Sequence, residues 1–210
     1  MKARPIVFSA PMIRAIIEGR KTQTRRVVKP PPEENSHGSV LWWDGDELLT
    51  ESTYRCPYGV PGDQLWVREN WKTLKGWDSV PPSSLPSYDD PIPVCYPADC
   101  YCDPVIADIE SWGRVRPSIH MPRWASRISL EIVSVRVERL NVITEEDAID
   151  EGVYLRRLSG CQDGCASCDD RTPTETFRDL WQSINGPESW GSNPWVWVVE
   201  FRKMEGRAEL

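Results

Sequence analysis

The segment Ile128-Ser129-Leu130-Glu131-Ile132 carries the clearest strand pattern in the chain, because apolar and polar residues alternate along it. A second strand is predicted at Trp195–Arg202, whose odd-numbered residues form one apolar face, and shorter strands are predicted at Ile6–Phe8 and Gln64–Glu69. Short helices separate these strands without a regular alternation of strand and helix. Such an order favours an α+β domain built on a small, barrel-like mixed sheet.

Three helices are predicted from their start and stop signals. The first closes at Gly19, and the second begins after the N-cap residue Thr144. The third begins at the capping box Thr172-Pro173-Thr174-Glu175. Its predicted apolar face consists of Phe177, Leu180, Trp181 and Ile184.

Composition limits the classes of function. The chain has 210 residues, is 40% hydrophobic and carries a formal net charge of −7, so it can bury a core but is a poor candidate for coating a long nucleic acid. A nucleoside, a nucleotide or a short segment is the more plausible ligand. No apolar run is long enough to span a membrane, and the N-terminus has no secretory cleavage site, so we expect a cytoplasmic protein. We also expect a monomer.

Three stretches break every periodic pattern, and we interpret them as insertions in a single domain covering residues 1–210. They lie at about 29–56, which includes a predicted hairpin at 41–45, and at about 72–118 and 156–172. The odd count of seven cysteines argues against a disulfide framework. Free thiols or a structural zinc site remain open, the zinc ligands being Cys161, Cys165 and Cys168, with a fourth from Cys95, Cys100 or Cys102.

The stretch Gly19-Arg20-Lys21-Thr22-Gln23-Thr24-Arg25-Arg26 is the strongest candidate for chemistry. It holds four cations and two hydroxyls directly after a predicted helix end. One interpretation is a solvated charged turn. The other is a pocket rim, where a buried lysine acts as a base and activates a threonine hydroxyl as a nucleophile.

The same stretch resembles the G-x-K-x-x-[ET]-x-R signature of ASCH domains, whose fold is related to PUA domains. The stretch is also similar to that of small bacterial N4-acetylcytidine amidohydrolases, which carry Gly-Arg-Lys-Thr-x-Thr-x-Arg where this chain has Gly19–Arg26. Three later stretches also align, at Gly62–Leu65, Thr144–Glu151 and Val196–Phe201. The resemblance covers about half of the chain. Phage-borne ASCH-type proteins share the stretches PSIHMPRWASRI and FRDLW-x-SING-x-x-SW.

The resemblance implies a PUA-like fold and an amidohydrolase that removes the acyl group from N4-acylated cytosine nucleosides, with no required cofactor. It assigns catalysis to Lys21, Thr24 and Glu151. Two routes are open: Thr24 attacks the amide carbonyl itself, or Lys21 and Glu151 activate water while Thr24 donates a hydrogen bond. Sequence does not separate them.

Six further residues are candidates for binding the substrate: Arg26, Trp66, Glu69, His120, Arg123 and Trp124. Each also has a structural interpretation. The 11 tryptophans can fill a core that has only 3 phenylalanines, Glu69 can form an ion pair with Arg68 or Arg26, and His120 can be a satisfied loop residue.

Two other functions compete with the amidohydrolase. The chain could recognise a modified base or RNA without turnover, or it could be a metal-assisted ribonuclease. Thr24 favours the amidohydrolase, because family members with glutamate at that position are not expected to share its chemistry. The acidic balance weighs against binding to a long RNA strand.

Overall fold

The computed structural model describes residues 1–34, 40–44, 47–49, 55–85, 92–99, 101–102, 111–153 and 171–204. They form two compact units, each built from separated parts of the chain. The first unit comprises Met1–Glu18, Gly62–Glu131 and the residues from Arg202 onward, and the second comprises Gly19–Pro61 and Ile132–Phe201. The prediction of one domain with three insertions stays a prediction.

The described residues contain ten strands and three α-helices. The strands are β1 (Ala3–Val7), β2 (Gln23–Val27), β3 (Glu33–Glu34), β4 (Val40–Asp44), β5 (Glu47–Leu49), β6 (Gln64–Arg68), β7 (Cys95–Tyr96), β8 (Tyr101–Cys102), β9 (Ser129–Arg139) and β10 (Trp195–Lys203). The helices are α1 (Ala10–Ile17), α2 (Glu145–Asp150) and α3 (Pro173–Asn185). None of these helices combines the length and the apolar character needed to cross a bilayer.

Five strands form one mixed sheet in the order β1-β6-β9-β10-β2. The pair β1 and β6 is parallel, whereas β6 pairs with β9, and β10 with β2, in antiparallel register. The α+β class is therefore confirmed. The predicted barrel is not what the described residues form, because β1 and β2 end the order and the sheet stays open.

The first predicted insertion contains regular structure. Strands β3, β4 and β5 form a separate antiparallel sheet, and β4 pairs with β5 through the register Trp42 to Leu49. The hairpin predicted at 41–45 is confirmed.

Strand β10 is buried on both faces, although its sequence predicted only one apolar face. Val196 and Val198 are fully buried and belong to a core cluster with α2 and α3, while Trp197 and Val199 are buried on the other face. The physical reason is packing: Ala148 of α2 and the side chains of Phe177 and Trp181 of α3 cover the face that carries Val196 and Val198.

Helix α3 begins at the predicted capping box. The Thr172 hydroxyl accepts the Glu175 N–H at 3.2 Å, and the Glu175 carboxylate accepts the Thr172 N–H at 2.9 Å. Phe177 and Trp181 are buried, as the apolar face predicted, but Ile184 is 58% exposed. The last turn of α3 extends beyond the core cluster, so the predicted apolar face is one residue too long at its C-terminal end.

Replacing Thr172 with alanine should lower the free energy of unfolding by about 1 kcal/mol, because the Glu175 N–H loses the hydroxyl that accepts it. Urea denaturation measures this loss. The control is Ser183→Ala, which changes an exposed hydroxyl in the last turns of the same helix and should leave the midpoint nearly unchanged. Equal midpoints for the two variants would contradict the role of the cap.

The stretch at 72–118 contributes to the core of the first unit. Its described residues Leu85, Ile92 and Tyr96 are buried in a cluster around Trp71. Both interpretations are wrong at Cys95, which is disulfide-bonded and is therefore neither a free thiol nor a zinc ligand. Antiparallel pairing of β7 with β8 places Cys102 directly opposite Cys95.

Candidate active site

The motif after α1 is held against the end of α2 by its backbone. Lys21 forms an isolated antiparallel bridge with Glu151, and the Thr22 N–H donates to the Asp150 carbonyl at 2.9 Å. Gly152 follows Glu151 with φ +84°, a conformation that lets the chain leave the helix at once. Two segments that are distant in sequence therefore meet at a defined register.

The side chains of Lys21 and Glu151 form a buried ion pair. Lys21 Nζ lies 2.8 Å from Glu151 Oε2, and it also donates to the carbonyls of Gln23 and Glu151 at 2.8 Å each. The two side chains are 0% and 3% exposed. Burial lowers the pKa of Lys21 below its ordinary value, and the Glu151 carboxylate opposes that shift. A pair of this kind can hold a proton and exchange it between amine and carboxylate.

The Thr24 hydroxyl is fully buried on β2 and is held by a cation. Arg26 Nη1 donates to Thr24 Oγ1 at 2.7 Å, across two positions on the same face of the strand. The ammonium of Lys21 bonds to the Gln23 carbonyl, which belongs to the peptide that leads directly into Thr24. Burial lowers the pKa of Arg26, against the opposing charge of Glu151. A cation at the hydroxyl favours negative charge developing on that oxygen.

Arg25 organises the acidic side of the site, and sequence reasoning did not assign it a role. Its fully buried guanidinium contacts the carboxylates of Glu138 at 2.6 Å, Asp147 at 3.2 Å and Glu151 at 3.3 Å. It holds Oε1 of Glu151 while Lys21 holds Oε2, so the carboxylate is fixed from both sides. The signal in the sequence is alternation, since Arg25 lies on the strand face opposite Thr24 and Arg26.

Gln23 and Asp147 connect β2 to the start of α2, and they were also missed. Gln23 Nε2 donates to the Asp147 carboxylate at 3.0 Å and to its carbonyl at 2.7 Å. Burial alone would raise the pKa of Asp147, but hydrogen bonds from Gln23 and Thr144 outweigh it and lower the pKa. Asp147 also completes the capping box with Thr144, so one carboxylate stabilises both the helix start and the strand.

Glu69 lies in the first unit, where it is 2% exposed. The proposed ion pair with Arg68 or Arg26 is wrong. Its partner is Arg127, which donates Nε to Oε1 at 2.8 Å and Nη2 to Oε2 at 3.0 Å. Burial raises the pKa of the Glu69 carboxyl, and the hydrogen bonds from Arg127 oppose the shift.

The other four predicted substrate-binding residues also lie in the first unit. Trp66 is 8% exposed, and the Arg68 guanidinium lies over its ring at 4.6 Å. Trp124 packs edge-on against Trp71 with ring centroids 6.0 Å apart. His120 is exposed, and Arg123 is half-buried. Their contact with a substrate stays a prediction.

The predicted zinc ligands Cys161, Cys165 and Cys168 lie outside the described residues. Within the part of the chain that the structure does describe, no three or more histidine, cysteine or acidic side chains are grouped so that they could hold a metal ion.

The second unit contains all four residues predicted from the sequence, in two contacts: Lys21 bonds to Glu151, and Arg26 bonds to Thr24. It adds Arg25 to the Glu151 carboxylate. Comparisons with known protein families, with curated proteins and with solved structures found no match.

Proposed function

We propose that this chain is an ASCH-like amidohydrolase with a PUA-like fold, and that it removes the acyl group from N4-acylated cytosine nucleosides. The observation that carries the proposal is the buried contact of Lys21 with Glu151, 130 positions apart, beside the peptide that leads into Thr24. The resemblance of Gly19–Arg26 to the motif of the N4-acetylcytidine amidohydrolases supports the same assignment.

The side chains have chemically consistent roles in such a reaction. The Thr24 oxygen attacks the amide carbonyl and forms a C–O bond, while its proton passes to the Lys21 and Glu151 pair. The tetrahedral oxyanion is stabilised by Arg26. When the carbonyl re-forms, the C–N4 bond breaks and the amine leaves with the proton from Lys21. Water then hydrolyses the acyl ester of Thr24, which releases the carboxylic acid.

The second route keeps the same residues and changes the nucleophile. The Lys21 and Glu151 pair takes a proton from water, and the resulting hydroxide attacks the carbonyl. Thr24 then donates a hydrogen bond to the oxyanion, and no acyl-enzyme forms. A rapidly quenched reaction distinguishes the routes, because only the first leaves an acetyl group on Thr24 that mass spectrometry detects.

The direct test is incubation of the purified chain with N4-acetylcytidine. We expect loss of the acylated chromophore and release of cytidine and acetate, and we expect Lys21→Met to remove this activity. The control is Lys29→Met, which changes an exposed lysine shortly after the same strand. No release of cytidine at high enzyme concentration would reject the proposal, and binding of a modified base without turnover would favour a recognition module.

A further inference from the structure

Two buried cations share one carboxylate in the second unit. Lys21 Nζ lies 2.8 Å from Glu151 Oε2, and Arg25 Nη1 lies 3.3 Å from Glu151 Oε1. The side chains of Lys21 and Arg25 are both 0% exposed, so water screens neither charge. Because Arg25 occupies one oxygen of the carboxylate, Lys21 does not have the whole negative charge to itself.

Two further carboxylates bind Arg25 on its other terminal nitrogen. Nη2 lies 2.6 Å from Glu138 Oε1 on β9 and 3.2 Å from Asp147 Oδ2 on α2. Helix α3 contributes an uncharged neighbour, Phe177, whose ring centroid lies 6.0 Å from the Arg25 Cζ atom. The guanidinium therefore connects the fully buried pair to two acidic side chains that are partly exposed, at 21% and 19%.

An outer cation, Arg136, competes for the same two acids. It bonds to Glu138 at 3.2 Å and to Asp147 at 3.0 Å, and it also pairs with Glu200 on β10. The acids thus divide their charge between Arg25 and Arg136 and do not neutralise Arg25 alone. Positive and negative groups alternate along this chain of contacts, from the buried site to the half-exposed Arg136.

The charges around Lys21 act on its ammonium in opposite directions. Burial is the largest cause that lowers the pKa of Lys21, and the Glu151 carboxylate raises it. The charges of Arg26 and Arg25 lower the pKa further, because a nearby cation disfavours the protonated amine. Arg25 also holds Glu151 Oε1, so its two effects on Lys21 have the same sign.

We propose that Arg25 is a positioning residue: it draws part of the Glu151 charge away from Lys21 and so favours the neutral amine, and Glu138 weakens this effect by binding Arg25. The neutral amine is the form that can take a proton from Thr24 or from water. Its use in catalysis rests on the proposed function, whereas the competition for the carboxylate follows from the ion-pair geometry.

NMR titration of the full chain with 13C-labelled lysine measures the protonation of Lys21 without substrate. The chain has six lysines, and Lys21→Met identifies the signal of Lys21. We expect Arg25→Met to move the Lys21 titration to higher pH, because a cation is lost and the carboxylate is released to Lys21. We expect Glu138→Gln to move it to lower pH, because Arg25 loses a competing carboxylate.

Two controls remove the same charges elsewhere in the second unit. Arg139→Met changes the residue next to Glu138, whose guanidinium lies over the Trp195 ring, and Glu146→Gln changes an exposed residue of α2. Both should titrate like the wild type. An unchanged Lys21 titration in Arg25→Met and Glu138→Gln would overturn the proposal, and so would shifts of the same sign, because a merely structural contact does not reverse with the charge removed.

Glu138→Gln keeps the proposal testable if Arg25→Met does not fold. Its side chain is partly exposed, and Arg25 retains Asp147 and Glu151 as partners in this variant. A Lys21 titration at or above the wild-type pH in Glu138→Gln would by itself overturn the proposal.

The pH dependence of hydrolysis separates this proposal from the proposed function. If N4-acetylcytidine is the substrate, the rising limb of kcat/KM against pH should shift to lower pH in Glu138→Gln and to higher pH in Arg25→Met. Absence of hydrolysis by the wild type would reject the proposed function, and the NMR titration would still decide the role of Arg25. An active wild type with unshifted titrations in both variants would reject the role of Arg25 alone.

Discussion

Replacing Thr24 with valine should reduce kcat/KM for N4-acetylcytidine by about a thousandfold or more, since the nucleophile or the hydrogen-bond donor of the reaction is lost. Valine matches threonine in shape, and Thr24 is fully buried on β2, so the strand should keep its packing. Arg26 Nη1 loses the hydroxyl but still donates to the Arg25 carbonyl at 3.0 Å. Release of cytidine, followed by the change in absorbance, measures the effect.

Thr22 provides a matched control for this substitution. Its side chain is exposed, and its contacts with Asp150 and Phe201 are made by the backbone, so Thr22→Val should retain wild-type activity. Thr24→Ser keeps a hydroxyl and should recover a substantial part of the activity. Near-normal turnover by Thr24→Val would remove the threonine from the mechanism and leave only the Lys21 and Glu151 pair.

Replacing Glu151 with glutamine should lower the free energy of unfolding by about 3–5 kcal/mol, since it breaks a buried ion pair by removing one partner. Lys21 and Arg25 both lose the carboxylate charge that lies against them, and neither side chain reaches water. Urea denaturation measures the stability. We expect hydrolysis to be lost as well, because the proton-holding pair no longer exists.

The control is Glu146→Gln, an exposed position in α2, the helix that Glu151 follows, and it should change the stability by less than about 0.5 kcal/mol. The double variant Lys21→Met with Glu151→Leu removes both charges, so it should recover part of the stability but none of the activity. Wild-type stability of Glu151→Gln would contradict the buried pair, whereas full activity of the double variant would contradict its chemical role.

Local sequence signals, such as capping boxes, were sufficient to predict where the helices α2 and α3 begin. The capping boxes at Thr144 and Thr172 satisfy the first N–H groups of their own helices, so each helix start follows from a few neighbouring residues. The hairpin β4–β5 and the sheet strands β1, β6, β9 and β10 were likewise predictable from alternation and turn residues. Strand β2 was not predicted, because its residues were interpreted as a charged turn or a pocket rim. Burial was less predictable: the second face of β10 and the exposed Ile184 depend on which elements cover them.

In the candidate site too, some residues could be named from the sequence, whereas their partners could not. Sequence resemblance named Lys21, Thr24 and Glu151. Alternation separates Arg25 from Thr24, but only the fold shows that Arg25 and Lys21 bond to the same carboxylate. The predicted partners of Glu69 were its sequence neighbour Arg68 and the motif residue Arg26. Its actual partner is Arg127, which lies 58 positions away, just before β9. Long-range ion pairs depend on the distance between side chains in space, which local patterns do not encode.

The sequence by itself determined the helix starts and the motif that carries the proposed chemistry, because each depends on residues within about two turns of one another. It also determined the α+β class, because that class follows from the order of strands and helices along the chain. The tertiary structure alone decided that the sheet is open, which carboxylates surround Arg25, and that Glu69 pairs with Arg127. These three features arise only where segments that are distant in sequence pack together and exclude water. Their energies depend on burial and on partner geometry, and both are set only once the chain has folded.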